Sequence, residues 1–501
     1  MKKITTIILT IILSLSITAC SDKSERTLYE IDVILNENKI TCEMKLDYYN
    51  NLANSVDKLY FNLYPNAFRE DAKISPIHTE YLLEAYPNGL SYGDISIKSV
   101  KTQNQNLNFA IEGEDCNILK VDLDKEVKPT NRFQLFISFD VAIPNVLHRL
   151  GYGNNTINLT GFYPVLCEEY MGEIYKSVYY PSGDPFYLGV SDYKVSLTLP
   201  SKYIVASSLS PVKTEILEYK TTYFYEREKV RDIAFVISEK FNILKDNVDG
   251  VDIYYYYFND SLPNQSFKVI KNALTFYSSK FTKYPYKEYV VCEADFIYGG
   301  MEYPCLTFID SSLSREDRNY CLAHETAHEW WYGLVGVNQS EEGFIDEGLT
   351  EFSSLLFSCK YLGYDKNQYI NTIKERYREI RKYSVLYSEE KRAVMNRNLG
   401  SFKNDAEYVS IAYYRSQIMF NDLYEFMGEN KFYKFLSSLS SNYKYQNITY
   451  NNLKNLAEKV KKGSGKLLDG YVLGETVVLL ALTNVNGYVG FAGVRLVTVK
   501  T

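Results

Sequence analysis

The sequence predicts two folded domains, a β domain followed by an α+β domain, and three observations lead to this prediction. Strand-like runs separated by turn signals fill the chain from about residue 28 to 241. A helical stretch follows at 264–281, and helical periodicity dominates again at about 314–460. We therefore expect an N-terminal antiparallel β domain at 28–241 and an α+β domain at 242–470.

Individual stretches support each element in order. In the first domain "YKVSLTLP", "YFYER" and "DIAFVISEKF" are β-rich and partly alternating, with turn signals such as "YPNG" and "PSGD" between them. In the second domain "NQSFKVIKNALTFYSSKF" is helical, whereas "EYVVCEAD" is typical of a buried strand. The closing stretch 471–501 is apolar, but Glu475 and Asn484 interrupt it, so a docked hairpin is favoured over a membrane span.

Composition excludes some partners and some kinds of site. Hydrophobic residues make up 46% of the 501 residues and charged residues 23%, as in an ordinary globular protein. The net charge is −7 and no long basic stripe occurs, so no nucleic acid partner is expected. The cysteines beyond Cys20 are scattered and form no CxxC pattern, which predicts buried thiols rather than a disulfide framework.

The first residues form a targeting segment. "MKKITTIILTIILSLSITAC" has a basic start, an apolar core at 4–15 and small residues before Cys20, which predicts a signal peptide at 1–19. "ITAC" resembles a bacterial lipobox, in which the cysteine becomes the lipidated first residue; the alternative is an ordinary cleaved signal with a chance cysteine. We expect a lipidated tether at 20–27 and an exported protein anchored through Cys20 to the outer face of the bacterial cell membrane.

The stretch "HETAHEWW" carries the strongest chemical signal. On a helix, residues four apart lie on one face, so His324 and His328 can point both imidazoles at one metal ion. Catalytic zinc takes three protein ligands and keeps a fourth position open. Glu347 follows after 18 intervening residues, enough for a reversing loop and an antiparallel second helix that brings it beside the histidines. The sequence therefore predicts one zinc per chain, with these three residues as metal ligands.

Two further carboxylates belong to the same pattern. Glu325 lies about 100° around the helix from His324, off the ligand face, and is placed to take a proton from the metal-activated water. Glu351 lies one turn after Glu347, where it either supports a ligand histidine or is a solvated helix carboxylate.

The zinc motif together with "GGMEYP" resembles the M1 family of zinc aminopeptidases. In that family a G-x-M-E-N motif holds the free amino group of a peptide substrate, and its strand pairs with the substrate backbone. The resemblance implies a peptide-binding role for Gly299, Gly300, Met301 and, at the amino group, Glu302. Tyr303 stands where the family usually has asparagine. The implied second domain is a thermolysin-like zinc metallopeptidase domain with a helical lobe.

A second, more degraded motif is "YVSIAYYRSQIMF". It resembles the start of the family helix that supplies a tyrosine to the tetrahedral intermediate, a role that falls on Tyr413, with Tyr414 as the neighbouring alternative. Arg415 and Ser416 stand where the family usually has lysine and, two positions after it, glycine. "GFYPV", at 161–165, resembles the substrate-facing segment of the first domain.

Three classes of function remain open from the sequence. The first is a zinc aminopeptidase that removes N-terminal residues from peptides. The second is a zinc endopeptidase or another zinc hydrolase, because H-E-x-x-H alone does not choose between them. The third is a lipid-anchored peptide-binding protein with impaired catalysis. The sequence predicts neither the preferred first residue of the substrate nor the oligomeric state.

Overall fold

The computed structural model describes residues 25–387 and 393–475 of the chain. The predicted signal peptide, Cys20 and the part of the apolar tail at 476–501 lie outside the described residues. Within them, no helix combines the length and apolar character needed to cross a bilayer.

The first domain consists of strands that alternate between buried and exposed side chains. In β2, for example, Ile40, Cys42, Met44 and Leu46 are buried, and the residues between them point outward. The elements of this domain are β1 Leu28–Asn36, β2 Lys39–Tyr49, β3 Val56–Asn62, α1 Leu82–Ala85, β4 Asp94–Lys101, β5 Phe109–Glu112, β6 Ile118–Val127, β7 Arg132–Ala142, β8 Gly151–Tyr152, β9 Ile157–Thr160, β10 Val165–Leu166, β11 Glu169–Tyr170, β12 Glu173–Ile174, β13 Ser191–Pro200, β14 Ile204–Ser207, β15 Ser210–Leu217, β16 Lys220–Val230 and β17 Ala234–Ser238.

The strands of this domain form several sheets. The largest has seven strands in the order β15-β16-β13-β1-β2-β7-β4, and four-stranded sheets contain β10-β3-β6-β5 and β14-β17-β9-β8. The pairs in these sheets are antiparallel, as predicted, except that β1 and β13 run parallel. A parallel pair needs a long crossover connection instead of a hairpin, and more than 150 residues separate β1 from β13.

The second domain begins with two strands that the helical pattern of the sequence did not indicate, β18 and β19. Its elements are β18 Asn242–Val248, β19 Val251–Tyr257, α2 Pro263–Lys280, β20 Glu288–Ala294, β21 Gly300–Tyr303, β22 Leu306–Asp310, α3 Arg315–Ala327, β23 Val335–Val337, α4 Gln339–Tyr361, α5 Lys366–Tyr387, α6 Asp405–Val409, α7 Ser416–Met427, α8 Glu429–Asn442, β24 Gln446–Ile448, α9 Tyr450–Val460 and α10 Ser464–Val472. A π-helical turn, Ser410–Arg415, joins α6 to α7.

The sheet of the second domain has the order β18-β19-β20-β22-β21, so β21 is an edge strand. Helix α3 packs on β21 and β22 of this sheet, and α4 packs on α3. Each begins at a capping residue: the Ser314 side chain accepts a hydrogen bond from Asp317 N, and the Asn338 side chain accepts one from Ser340 N. These caps fix where the two helices start, and therefore which of their residues face one another.

A buried arginine ties the two domains together. Arg231, 2% exposed, donates from Nε to the Tyr332 carbonyl at 2.9 Å, from Nη1 to the Leu188 carbonyl at 2.9 Å and from Nη2 to the Gln446 carbonyl at 2.7 Å. Tyr332 follows the zinc-motif helix and has φ +147°, a strained backbone that persists only where its surroundings hold it. The interface therefore fixes the chain directly after α3.

Candidate metal centre and active site

Two histidines at the end of α3 form the centre of the site. His324 lies in the last turn and His328 is the C-terminal capping residue, still in αR geometry. Their Nε2 atoms lie 3.1 Å apart, and both side chains are buried. The sequence prediction that the i and i+4 positions bring the two imidazoles to one point agrees with this geometry.

The Nδ1 atoms of both histidines face acceptor groups. His328 Nδ1 lies 3.0 Å from the Trp331 carbonyl and 2.9 Å from Asp346 Oδ1. Because a carbonyl can only accept, Nδ1 carries the proton and the Nε2 lone pair is available to a metal. His324 Nδ1 lies 3.3 Å from Glu351 Oε1. His328 thus has the hydrogen-bonded carboxylate partner that is typical of metal-binding imidazoles, whereas His324 Nδ1 has a carboxylate nearby but no well-formed hydrogen bond to it.

Glu347 completes a three-ligand site from the first turns of α4. Its Oε2 lies 3.4 Å from His324 Nε2 and 3.6 Å from His328 Nε2. Zinc bonds of about 2.0–2.1 Å at tetrahedral angles would place ligand atoms roughly 3.3 Å apart, so the three donor atoms fit one ion. Glu347 Oε2 has no well-formed hydrogen bond to any described residue, which leaves this buried atom available as a ligand. The residues fit the metal that the sequence predicts.

The electrostatics of the centre favour a cation. Burial acts to raise the pKa of Glu347, but its contacts with His324 and His328 outweigh burial and lower that pKa to about 2. Burial also acts to lower the pKa of His324, whereas Glu347 and Glu351 raise it to about 10. Several carboxylates therefore surround two imidazoles in a site from which water is largely excluded, and a bound dication would offset their mutual repulsion.

Glu325 lies off the ligand face, as its position on the helix predicts. Burial raises the pKa of its carboxyl group to about 7. The side chain lies against Gly300 of β21: a Cβ atom at Gly300 would approach Glu325 Cδ to 2.5 Å. A glycine is required there because any side chain would push the Glu325 carboxylate away from the metal site.

The "GGMEYP" segment forms the edge strand that borders the site. Gly300, Met301 and Glu302 line the same cavity as the metal ligands, whereas Gly299 is not among the cavity's lining residues. Gly299 instead has φ +83°, a conformation that favours glycine in the turn before the strand. Tyr303, at the position of the family asparagine, donates a hydrogen bond to Thr160 Oγ1 at 2.8 Å and so joins the strand to the first domain.

A glutamine connects the strand to the metal centre. Gln339 Nε2 lies 3.0 Å from Glu302 Oε1 and 2.6 Å from Asp346 Oδ2, so one amide donates to both carboxylates. Because Asp346 also contacts His328, the orientation of Glu302 is linked to that of a metal-site histidine. Burial and the nearby Asp184 raise the pKa of Glu302 well above its usual range. Sequence reasoning missed Gln339 and Asp346, although Asp346 directly precedes Glu347.

The π-helical turn places Tyr413 at the centre. Its hydroxyl donates to Glu347 Oε1 at 2.8 Å, and its ring lies parallel to the His324 ring with centroids 6.4 Å apart. Tyr413 lines the cavity, whereas Tyr414 is 1% exposed and is not one of the lining residues. π-Helical turns are frequent at functional sites because they redirect a side chain within a helix. Of the two neighbouring tyrosines, Tyr413 is therefore the one that the structure places in the cavity.

Arg415 and Ser416, which differ from the lysine and glycine of the family motif, have structural roles. Arg415 donates from Nη1 to the Tyr377 hydroxyl at 3.1 Å and from Nη2 to the Tyr471 carbonyl at 3.0 Å. The Ser416 hydroxyl donates back to the Tyr413 carbonyl at 2.9 Å. Both interactions hold the turn that carries Tyr413.

Residues of the first domain form one wall of the cavity, and they are not the residues that the sequence indicated. The "GFYPV" residues are not among those that line the cavity: Phe162 and Tyr163 are fully buried, and the Tyr163 hydroxyl donates to Asp232 Oδ1 at 2.9 Å. The cavity wall is formed instead by Arg149 and by Asp184 of "PSGD", which form an ion pair. The "PSGD" stretch predicts a turn, but a turn prediction does not indicate that the Asp184 side chain lines a cavity.

A family comparison matches the second domain. Residues 265–471 match the model described as the peptidase family M1 domain. Leucine aminopeptidase 2-1 of Meyerozyma guilliermondii is 27% identical over 172 residues, 33% of this chain and 28% of that protein. Aminopeptidase B of Homo sapiens is 37% identical over 73 residues, 13% of this chain and 11% of that protein. The chain thus spans less than a third of the length of these relatives.

Similarity to solved structures extends over both domains. The M1 zinc metallopeptidase of Deinococcus radiodurans has a TM-score of 0.65 at 13% identity, with 91% of this chain and 96% of that chain covered. A mutant of the Deinococcus radiodurans enzyme bound to a Tyr-Ser-Ala substrate gives 0.66 at 14% identity, with 91% and 95% covered. The predicted fold, a β domain followed by a metallopeptidase domain with a helical lobe, is confirmed. Residues 265–471 of this chain are thus similar in sequence to the peptidase family M1 domain, and the two domains together share the fold of the Deinococcus radiodurans enzyme.

Proposed function

We propose that the protein is a zinc-dependent aminopeptidase that hydrolyses the first peptide bond of peptides with a free amino terminus. One observation carries this proposal: a single cavity holds the metal-ligand set, Glu325 and the edge-strand carboxylate Glu302. The resemblance of the zinc motif and of "GGMEYP" to the M1 family also supports aminopeptidase activity. His324, His328 and Glu347 would hold the ion.

The metal and Glu325 divide the chemistry of hydrolysis between them. Zinc, when bound, lowers the pKa of a coordinated water towards about 7 and polarises the substrate carbonyl. Glu325 takes the proton from the attacking water and passes it to the leaving amine, a role that its place beside the ligands allows. Gly300 leaves room for the Glu325 carboxylate to stay there.

Tyr413 provides a hydrogen-bond donor on the opposite side of the site. Its hydroxyl already lies within hydrogen-bonding distance of Glu347 Oε1. A donor in that place stabilises the negative charge that develops on the carbonyl oxygen during attack.

The edge strand explains why an exopeptidase is favoured over an endopeptidase. The backbone of β21 can pair with an extended peptide, which places the first residue beside the metal ligands. Glu302, 5% exposed, then faces the amino terminus, and Arg149 and Asp184 close the cavity beside it. A buried carboxylate can form an ion pair with the ammonium group of a free amino terminus, whereas a continuing peptide chain offers it no charge.

We also propose that the protein is exported and attached to the outer face of the bacterial cell membrane through a lipidated Cys20. The lipobox-like "ITAC" ending of the signal segment supports this proposal. Peptides outside the cell are then the substrates.

The first prediction concerns the metal and the base. Glu325→Gln should keep about one zinc per chain, because the ligands are untouched, and lower kcat by about a hundredfold or more, because the base is lost. Elemental analysis and peptide hydrolysis measure the two effects. Glu316→Gln, an exposed change on the same helix, is the matched control and should alter neither. A parent protein that remains inert after zinc is restored would contradict the proposal.

The second prediction distinguishes the two adjacent tyrosines. Tyr413→Phe should lower kcat by about a hundredfold, since removal of one oxyanion donor has effects of that order, while zinc content stays the same. Tyr414→Phe is the control and should have a much smaller effect. If Tyr414→Phe proves the damaging change in kinetic assays, Tyr413 is not the donor.

The third prediction concerns the free amino terminus. A free-amine peptide should be cleaved at least about a hundredfold faster than its N-acetyl twin, an energy gap of roughly 2.7 kcal/mol, because only the free ammonium group can form an ion pair with Glu302. Glu302→Ala should narrow the gap by slowing the free-amine substrate while zinc stays bound. Equal kcat/KM values for the two peptides in the parent enzyme would favour an endopeptidase.

The fourth prediction concerns attachment. The mature protein should partition with membranes and incorporate a fatty-acid probe, because the two or three acyl chains of a bacterial lipoprotein suffice for stable attachment. Cys20→Ala should give a soluble, unlabelled form. Unchanged membrane association of that variant argues against lipidation at this residue.

A further inference from the structure

We propose that the pocket for the first side chain of the substrate selects a basic residue, lysine or arginine, through the carboxylate of Asp405. This inference rests on the proposed aminopeptidase function and adds the substrate class to it. It follows from the shape of the cavity, from the polar groups at its far end and from the charges around it.

The cavity extends away from the metal ligands along one helical face. Tyr413 stacks on His324, and the Tyr408 ring lies 5.9 Å from the Tyr413 ring, centroid to centroid. Asp405 lies one turn before Tyr408 at the start of α6, and all three side chains line the cavity. Asp405 lies eight positions before Tyr413, about 12 Å along a helix. Only a long first side chain would therefore reach from the metal ligands to this carboxylate.

The Asp405 carboxylate lies at the start of a capped helix and lacks a cationic partner among the described residues. The preceding Asn404 caps the helix by accepting a hydrogen bond from Glu407 N at 2.9 Å. The described contact of Asp405 is a long hydrogen bond, 3.4 Å, from the Tyr81 hydroxyl to Oδ2. No lysine or arginine of the described ranges forms an ion pair with it. Burial and the neighbouring Glu80 raise the pKa of Asp405 to about 7, the effect expected of a carboxylate in a pocket without a countercharge.

A second polar group at the same end also lacks a partner. The Tyr298 hydroxyl is buried without a hydrogen bond to any described residue, and Tyr298 lines the cavity. Its ring lies 6.1 Å from that of Tyr81, centroid to centroid. An ammonium or guanidinium group brings several donors, so it could satisfy both Asp405 and Tyr298, and tyrosine faces add cation–π attraction.

The one described arginine that lines the cavity does not supply the missing charge. Arg149 forms an ion pair with Asp184 and donates from Nη1 to the Tyr179 hydroxyl at 3.2 Å and from Nε to Met301 Sδ at 3.0 Å. These contacts hold it against the wall beside β21. The pocket around Asp405 therefore stays acidic, which favours a basic first residue and disfavours an acidic one.

The test compares arginine with citrulline, its uncharged analogue of nearly the same shape. The zinc-loaded parent enzyme should hydrolyse an arginyl aminocoumarin with a kcat/KM at least about tenfold above that of the citrullyl compound. Asp405→Asn should reduce this ratio to about two or less by slowing the arginyl substrate, whereas Asp405→Glu, which keeps the charge, should retain a clear preference. Glu84→Gln, an exposed change on α1 that removes one charge outside the cavity, is the control and should leave the ratio as it is.

The outcomes separate this inference from the proposed function. Equal rates for the arginyl and citrullyl substrates in the parent enzyme, with both cleaved, would overturn the role of Asp405 and leave the aminopeptidase function standing. A ratio that persists in Asp405→Asn, with zinc content and circular dichroism unchanged, would also overturn it. Failure of the zinc-loaded parent to cleave arginyl, citrullyl or leucyl compounds would contradict the proposed function itself.

Discussion

The structure depends on the packing of α3 against α4, because this contact turns two separate sequence motifs into one metal site. His324 and His328 come from the end of α3 and Glu347 from α4, yet their donor atoms lie 3.1 to 3.6 Å apart. Such proximity of buried acidic and basic groups is expensive unless hydrogen bonds and charges are matched. The supporting contacts of Asp346 and Glu351 with the ring nitrogens provide that matching. The caps and the Arg231 interface hold the two helices where these contacts form.

Hydrogen bonds connect the carboxylates of the site to one another and to a histidine. Gln339 donates to both Glu302 and Asp346, and Asp346 in turn contacts His328. The group that would receive the substrate amine is thus connected by two hydrogen-bonded residues to a metal-site histidine. An ammonium at Glu302 and a dication at the histidines would each reduce the repulsion among these carboxylates, so both positions favour a cation.

The sequence predicted the candidate ligands, because their positions depend on spacing along the chain. It did not predict the residues that long-range contacts bring to the site. The i and i+4 spacing predicted the facing histidines, and the 18-residue gap predicted a ligand on a second helix. Family resemblance selected Tyr413 over Tyr414. In contrast, Asp184 and Arg149 come from loops of the first domain, and nothing in their own neighbourhood indicates that the fold brings them to the cavity. The same reason explains why the parallel β1 and β13 pair was missed, since hydrophobic alternation does not reveal which strands are neighbours.

The two domains contribute different parts of the candidate site. The metal ligands, Glu325 and Tyr413 all lie in the second domain, within one packed set of helices. The wall beside Glu302 and the contact to Asp405 come from the first domain, through Asp184 and Tyr81. If the protein acts on peptides as proposed, a change in the loops of the β domain would alter which peptides fit without moving His324, His328 or Glu347. Because Tyr303 and Arg231 fix the two domains to each other, the pocket retains its shape although its walls come from distant parts of the chain.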